Sequence, residues 1–345
     1  MGTVSEMMSN TTATLPPMEA PSDLTFTRRI TYIVLQTGQL FSFFAYLFVG
    51  YHLLSSPRNL RITLGTHVIV VLLLLNFVQL TLDMPLALQY LKTGVVRPSA
   101  DIVCNTWMFF DSFTYYLSLL LMAWASFERH LLIFHSHLLN TRRRRIYLHY
   151  APILGLFLYA LIYYVFVDYF YPCVNTFDFS IAFCGYVCYM ALSKPTLFGI
   201  EMMAHQVVPT ILITLFSGGL LMRTCLSRHR LQRSVEWRKY RKMITQLASV
   251  SLMYLVFSVP FSLNPIAQLA GKPTPFGSDV ALNIFSYWAY GVSIFLPFVV
   301  AMSLPNLGEK LKRLIVIRRS RRVMNVTNTP SMHPAVSAAR AERHG

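Results

Sequence analysis

One carboxylate, Asp111, stands in an almost unbroken apolar stretch, seven positions after Cys104 and about two helical turns inward from it. A carboxylate in such a stretch is costly to bury and marks a functional site by default. Its structural alternative is a place in a buried hydrogen-bond cluster. The same stretch closes on Glu128-Arg129-His130, an acid, a rigid cation and an imidazole in a row. Glu201 and His205, one helical turn apart, precede Pro209. Such residues hold charge rather than break bonds. The apolar stretches contain no HExxH, GxSxG or paired-carboxylate motif, and single histidines such as His67 and His205 are more often structural than catalytic. An enzyme is therefore not expected. Cys184-Gly-Tyr-Val-Cys188 has no second pair at zinc spacing, so neither a metal nor a cofactor is expected.

The elements that must position these residues are membrane helices. Hydrophobic residues make up 54% of the 345 and charged ones only 13%, about half the charged share of a water-soluble domain. A bilayer-spanning helix needs roughly 20 mostly apolar residues, and seven stretches qualify, at about 30–53, 64–90, 106–134, 147–170, 198–222, 243–269 and 279–303. Helices satisfy every backbone group within the span, so the fold class is all-α, a seven-transmembrane helix bundle. Most of the 30 Lys and Arg residues follow the first, third, fifth and seventh stretches, as at Arg58, Arg142 to Arg145, Arg223 to Lys242 and Lys310 to Arg343. The positive-inside rule then places the N-terminus outside and the C-terminus in the cytoplasm. The net charge of +16 is confined to short loops between apolar spans. This argues for topology and attraction to anionic lipid, and against a nucleic-acid partner.

The flanks divide the chain further. Residues 1–27 are polar, lack the apolar core of a signal peptide and read as a disordered outer segment. Asn10-Thr11-Thr12 is a glycosylation acceptor there, while Asn325-Val326-Thr327 falls on the inner side. The bundle covers 28–304. Over 305–319, Leu307, Leu311, Leu314 and Ile315 recur at helical spacing beside Lys310, Lys312 and Arg313, predicting an amphipathic eighth helix on the cytoplasmic surface. Residues 320–345 read as a disordered tail. Four cysteines lie outside, Cys104, Cys173, Cys184 and Cys188, and allow three pairings. Cys104–Cys188 with Cys173–Cys184 is favoured, and Cys104–Cys184 is the runner-up. Cys225 lies on the reducing inner side.

A cysteine opening the third span, an acid–arginine pair closing it and seven alternating spans resemble the rhodopsin-like (class A) G-protein-coupled receptors, in particular divergent, orphan-type receptors of invertebrates. The resemblance covers about 28–318. Leu72, Asn76 and Pro85 on span two, Ser118 on span three, and Pro209, Pro260 and Pro297 on spans five to seven match its landmarks. Each proline removes a backbone hydrogen bond and lets its helix bend, so the last three are candidate hinges. The chain departs from the family at Ser258, Ser217, Val300 and Tyr240, at Asn76 in place of an acid, and in a span four without its usual tryptophan.

The resemblance implies an outer-loop disulfide from Cys104. It implies a resting-state hold of Glu128 on Arg129, released for a heterotrimeric G protein at the inner face, with Glu128, Arg129 and His130 as the coupling residues. At the position of Asp111 it implies a counter-ion for a cationic amine or peptide ligand, braced by Tyr290. Phe261 would supply an aromatic wall, and Glu201 and His205 would face the same cavity. A retinal-binding reading needs a lysine for a Schiff base; residues 279–303 contain none, and Tyr290 stands in the matching place. The rival from another class is a multispanning transporter or channel. The chain shows no half-to-half repeat of the transporter kind. The expectation is a plasma-membrane receptor.

Overall fold

The computed structural model describes residues 22–55, 64–134, 141–185, 187–191, 196–226, 237–269, 284 and 286–303. Asn10, the predicted helix over 305–319, the tail at 320–345 and the acceptor at Asn325 lie outside them. The described residues contain helices and no strand. In chain order these are α1 (Ser22–Leu54), α2 (64–93), α3 (Asp101–Phe134), α4 (Arg142–Phe170), α5 (196–226), α6 (Trp237–Leu269) and α7 (Ser286–Met302). The first six are long and apolar enough to cross a membrane, and α7 is a shorter apolar helix. The described helices run past the predicted apolar cores, because polar turns such as Ser22-Asp23 and Asp101 suit a helix start but not a hydropathy window. Phe41, Phe44, Leu74, Ile162, Leu215 and Leu252 point outward, as lipid-facing side chains must.

α3 is the axis of the bundle and packs against α2, α4 and α5. Its Leu117, Leu119, Leu121 and Met122 are fully buried. Where α1 meets α7, an added Cβ at Gly38 would stand 2.9 Å from Ile294, so only a residue without a side chain lets the two backbones come this close. At the break before Gly291, an added Cβ would run into the Phe257 ring.

Prolines shape the spans in two different ways. Three π turns, Gln79–Asp83, Ile146–Tyr150 and Met202–Val207, each end two residues before a proline, at Pro85, Pro152 and Pro209. A proline cannot donate to the carbonyl four residues back, and a wider turn is one way for the chain to absorb that loss. α6 and α7 keep their helical path through Pro260 and Pro297, and other side chains donate instead. The Trp288 indole donates to the Val256 carbonyl that Pro260 leaves free, at 3.2 Å. The Tyr46 hydroxyl donates to the Ser293 carbonyl that Pro297 leaves free, at 2.9 Å, and Ser42 donates to Ile294 at 2.7 Å. A fourth π turn, Phe166–Phe170, closes α4.

The disulfides correct the favoured pairing. Cys104 is bonded to Cys184, and Cys173 to Cys188, with Cα separations of 5.9 and 6.1 Å. The cause is a reversal at Phe183 and Cys184, both at φ 55°, a left-handed conformation uncommon for residues with a side chain. It buries Cys184 against the top of α3 and leaves Cys188, one short turn later, beside Cys173. Outside the spans, the Asp178 carboxylate accepts from the Ser180 amide and hydroxyl, which hold it below the usual carboxylate range.

Candidate functional site

Between the outer halves of α3, α5, α6 and α7 lies a cavity of about 260 Å³. Its roof is Phe183, which stacks on Trp107 at 5.0 Å and on Tyr287 at 5.9 Å. Its wall includes Met108, Tyr115, Met202 and Phe261, and its acid is Asp111. Asp111 and Phe261 thus line the same cavity. The left-handed reversal in the outer loop aims the roof: it turns Phe183 inward while the disulfide at Cys184 fixes it to α3.

Tyr290 lies beneath the cavity, and its hydroxyl donates to Asp83 of α2 at 3.0 Å. Asp111 stands beside both. The predicted Asp111–Tyr290 pair is therefore a cluster of three, because the π turn before Pro85 turns both Gln79 and Asp83 into the bundle. Asp83 is fully buried, and its Oδ2 has no hydrogen-bond partner. Below it, Ser293 Oγ lies 3.0 Å from Asn76 Oδ1 and 2.6 Å from Gln79 Oε1, and Asn76 donates to Tyr254 at 3.2 Å.

Glu201 and His205 do not line the cavity. They sit behind Met202 and Tyr116, turned toward α4. His205 is satisfied by two tyrosines of α4, with Nε2 2.7 Å from Tyr159 Oη and Nδ1 2.8 Å from Tyr164 Oη. His205 lies inside the π turn over 202–207, and Glu201 stands immediately before it. Phe198 and Met202 take the cavity side, which leaves Glu201 facing away from it. Tyr163 donates to Glu201 Oε2 at 3.5 Å, while Glu201 Oε1 has no partner. Asp168, from the last turn of α4, is 2% exposed and both its oxygens lack a hydrogen-bond partner. Tyr189 of the outer loop approaches Glu201 without closing a hydrogen bond of ordinary geometry.

At the inner end, Glu128 bonds His149 of α4, through Oε1 and Nδ1. His149 Nε2 lies 3.1 Å from His67 Nδ1 on α2, and Tyr150 adds a longer contact to the same atom at 3.5 Å. Arg129 is buried beside Glu128 and feels its charge. The expected direct hold of Glu128 on Arg129 is not made here: the Glu128 carboxylate bonds a histidine from another helix instead, and its Oε2 has no hydrogen-bond partner. His130 ties α3 to α5 through the Phe216 carbonyl at 2.7 Å. Ser217 lies 2.8 Å from Ser251 and 3.2 Å from Ser126, a three-helix clamp at one of the positions where the chain departs from the family it resembles.

Sequence reasoning missed His149, Asp168 and the structural role of Asp83. One signal was present. These three residues and His205 all sit in π turns, and in three of the four a proline follows two residues after the turn.

The family model described as "7 transmembrane receptor (rhodopsin family)" matches residues 51–304. No curated protein sequence matches the chain. Among solved structures, squid rhodopsin aligns with a TM-score of 0.62 over 91% of this chain and 92% of its own, at 14% identity, a likeness that shows the fold alone.

Proposed function

This chain belongs to the rhodopsin family of seven-transmembrane receptors, and we propose that it is a plasma-membrane receptor for a small cationic ligand that signals through a heterotrimeric G protein. The observation that carries the reading is Asp111 on the wall of a cavity roofed by Phe183 and flanked by Phe261. The cavity suits a small amine better than a peptide. An ammonium there would meet a carboxylate in a low-dielectric setting, where a charge-assisted hydrogen bond is strong, and the face of an aromatic ring.

A ligand shifts a two-state bundle only through contacts that differ between the states. The ligand site touches α3, α5, α6 and α7, and the inner end of α3 carries Glu128 and Arg129. Motion of α5 and α6 at Pro209 and Pro260 would open the inner face to the G protein. Separation of Glu128 from His149 would leave Arg129 to meet that partner. Binding outside and release inside are thus linked through α3.

The test is a G-protein reporter assay in cells, with a panel of charged amines on wild type and on Asp111→Asn. A response in wild type that Asp111→Asn removes, at equal surface expression, supports the reading. An unchanged dose–response in Asp111→Asn contradicts it.

A further inference from the structure

The outer half of the bundle holds more buried carboxyl groups than one cation would answer. Asp83, Asp111, Asp168 and Glu201 lie there, and none forms an ion pair with Lys, Arg or His among the described residues. Asp83 and Asp111 share the Tyr290 cluster. Asp168 and Glu201 form a second group, at 2% and 1% exposure, between α4, α5 and the outer loop. Three of their four carboxylate oxygens have no hydrogen-bond partner. Leaving even a neutral polar group buried and unsatisfied costs free energy, and a carboxylate costs more.

Among the described residues, the neighbours supply no positive charge. His205 already has a tyrosine hydroxyl on each ring nitrogen. One nitrogen of a neutral imidazole accepts and the other donates, so this histidine is complete without a proton from elsewhere. The other groups around the two acids, Tyr163, Tyr164 and Tyr189, are neutral donors. Asp168 lies within electrostatic range of both Glu201 and Asp111. The wall between this group and the cavity is thin: Met202 and Tyr116 line the cavity, and Tyr116 stacks on Tyr164 at 5.8 Å. Tyr116 Oη lies 3.8 Å from Met202 Sδ. A methionine is the most adaptable of apolar side chains, and moving it would open the cavity toward the two acids.

We propose that Asp168 and Glu201 form a second cation site behind the cavity, and that the ligand carries two positively charged nitrogens, one at Asp111 and one between these two acids. The inference rests on Asp111 being the first counter-ion. It assigns a role to Asp168, and it explains why Glu201 can face away from the cavity and still serve the ligand.

The experiment uses the full-length receptor in lipid nanodiscs and measures affinity for straight-chain α,ω-diamines from propane to octane, each against the monoamine of the same length. The expected result is a best diamine of intermediate length that binds about 10- to 100-fold tighter than its monoamine, the worth of one further charge-assisted hydrogen bond. Asp168→Asn and Glu201→Gln, tested separately so that either can report if the other misfolds, should each remove that advantage and leave monoamine affinity unchanged. Asp111→Asn should weaken monoamines and diamines alike.

Diamines no tighter than monoamines, with Asp111→Asn still weakening both, would overturn the second site and leave the counter-ion reading intact. Monoamine binding indifferent to Asp111→Asn would overturn the counter-ion reading and this inference with it. Failure of every amine to bind would overturn both. Lys194 lies between Cys188 and Glu201 in the chain. In a Lys194→Gln background the diamine advantage should persist. A gain of equal size from that substitution alone would overturn the inference, because the lysine would then be the charge the two acids hold.

Discussion

The two ends of the bundle treat buried acids in opposite ways. At the inner end Glu128 has a base against it, His149, backed in turn by His67. At the outer end Asp83, Asp168 and Glu201 face no base among the described residues, and Asp111 opens on a cavity. Glu128 Oε2 is without a hydrogen-bond partner just as Asp83 Oδ2, Glu201 Oε1 and both Asp168 oxygens are, so what separates the two ends is the histidine. An acid with a base against it holds two helices together. An acid without one stores a cost that only a ligand, or a proton, can remove. The same residue type therefore bonds a neighbouring helix at one end and, in the function we propose, awaits a ligand at the other, and what differs is which side chains the neighbouring helix supplies.

The strongest way to break this contrast is to remove the inner base. His149→Phe leaves Glu128 buried without it and should cost about 3–5 kcal/mol of stability, read as loss of folded receptor at the cell surface. The Glu128→Gln, His149→Phe double variant should recover part of that loss. Next in size is Asp111→Asn, which removes one partner of a buried charge pair and should weaken a cationic agonist by roughly 30- to 3,000-fold in a dose–response assay.

The roof sharpens the comparison. Cys104–Cys184 closes a loop of 80 positions and Cys173–Cys188 one of 15. Thermal unfolding should show the larger loss for the pair Cys104→Ser, Cys184→Ser, with about 3–5 kcal/mol bracketing the two. The smallest effect belongs to neither end. Trp288→Phe and Tyr46→Phe each remove the donor that answers a proline-freed carbonyl, and each should cost about 1 kcal/mol without altering agonist affinity.

The bundle itself was legible in the sequence. Seven apolar stretches, alternating loop charge and the positions of Cys104 and Arg129 are one-dimensional signals, and α1 to α7 follow them. The cavity was half legible: Asp111 and Phe261 meet there, because a straight helix carries its register faithfully from a landmark such as Arg129 or Pro260. What failed was register at a π turn. Glu201 and His205 are expected on the cavity side, whereas the structure turns both toward α4. The pairing of Cys104 failed for a related reason, since nothing in the spacing of Cys184 and Cys188 announces a left-handed reversal at Phe183. His149 escaped because its partner comes from another helix, a contact no local pattern records.

The central claim is that the outer acids wait for a ligand while the inner acid already has its partner. Melting temperatures of the ligand-free, full-length receptor in nanodiscs test it most directly. Asp168→Asn removes a buried carboxyl group whose oxygens have no hydrogen-bond partner and should raise the melting temperature by about 2–4 °C, whereas Glu128→Gln removes the acid that His149 bonds and should lower it by a similar amount. A fall in both variants would contradict the account, because Asp168 would then be part of the scaffold rather than an open site.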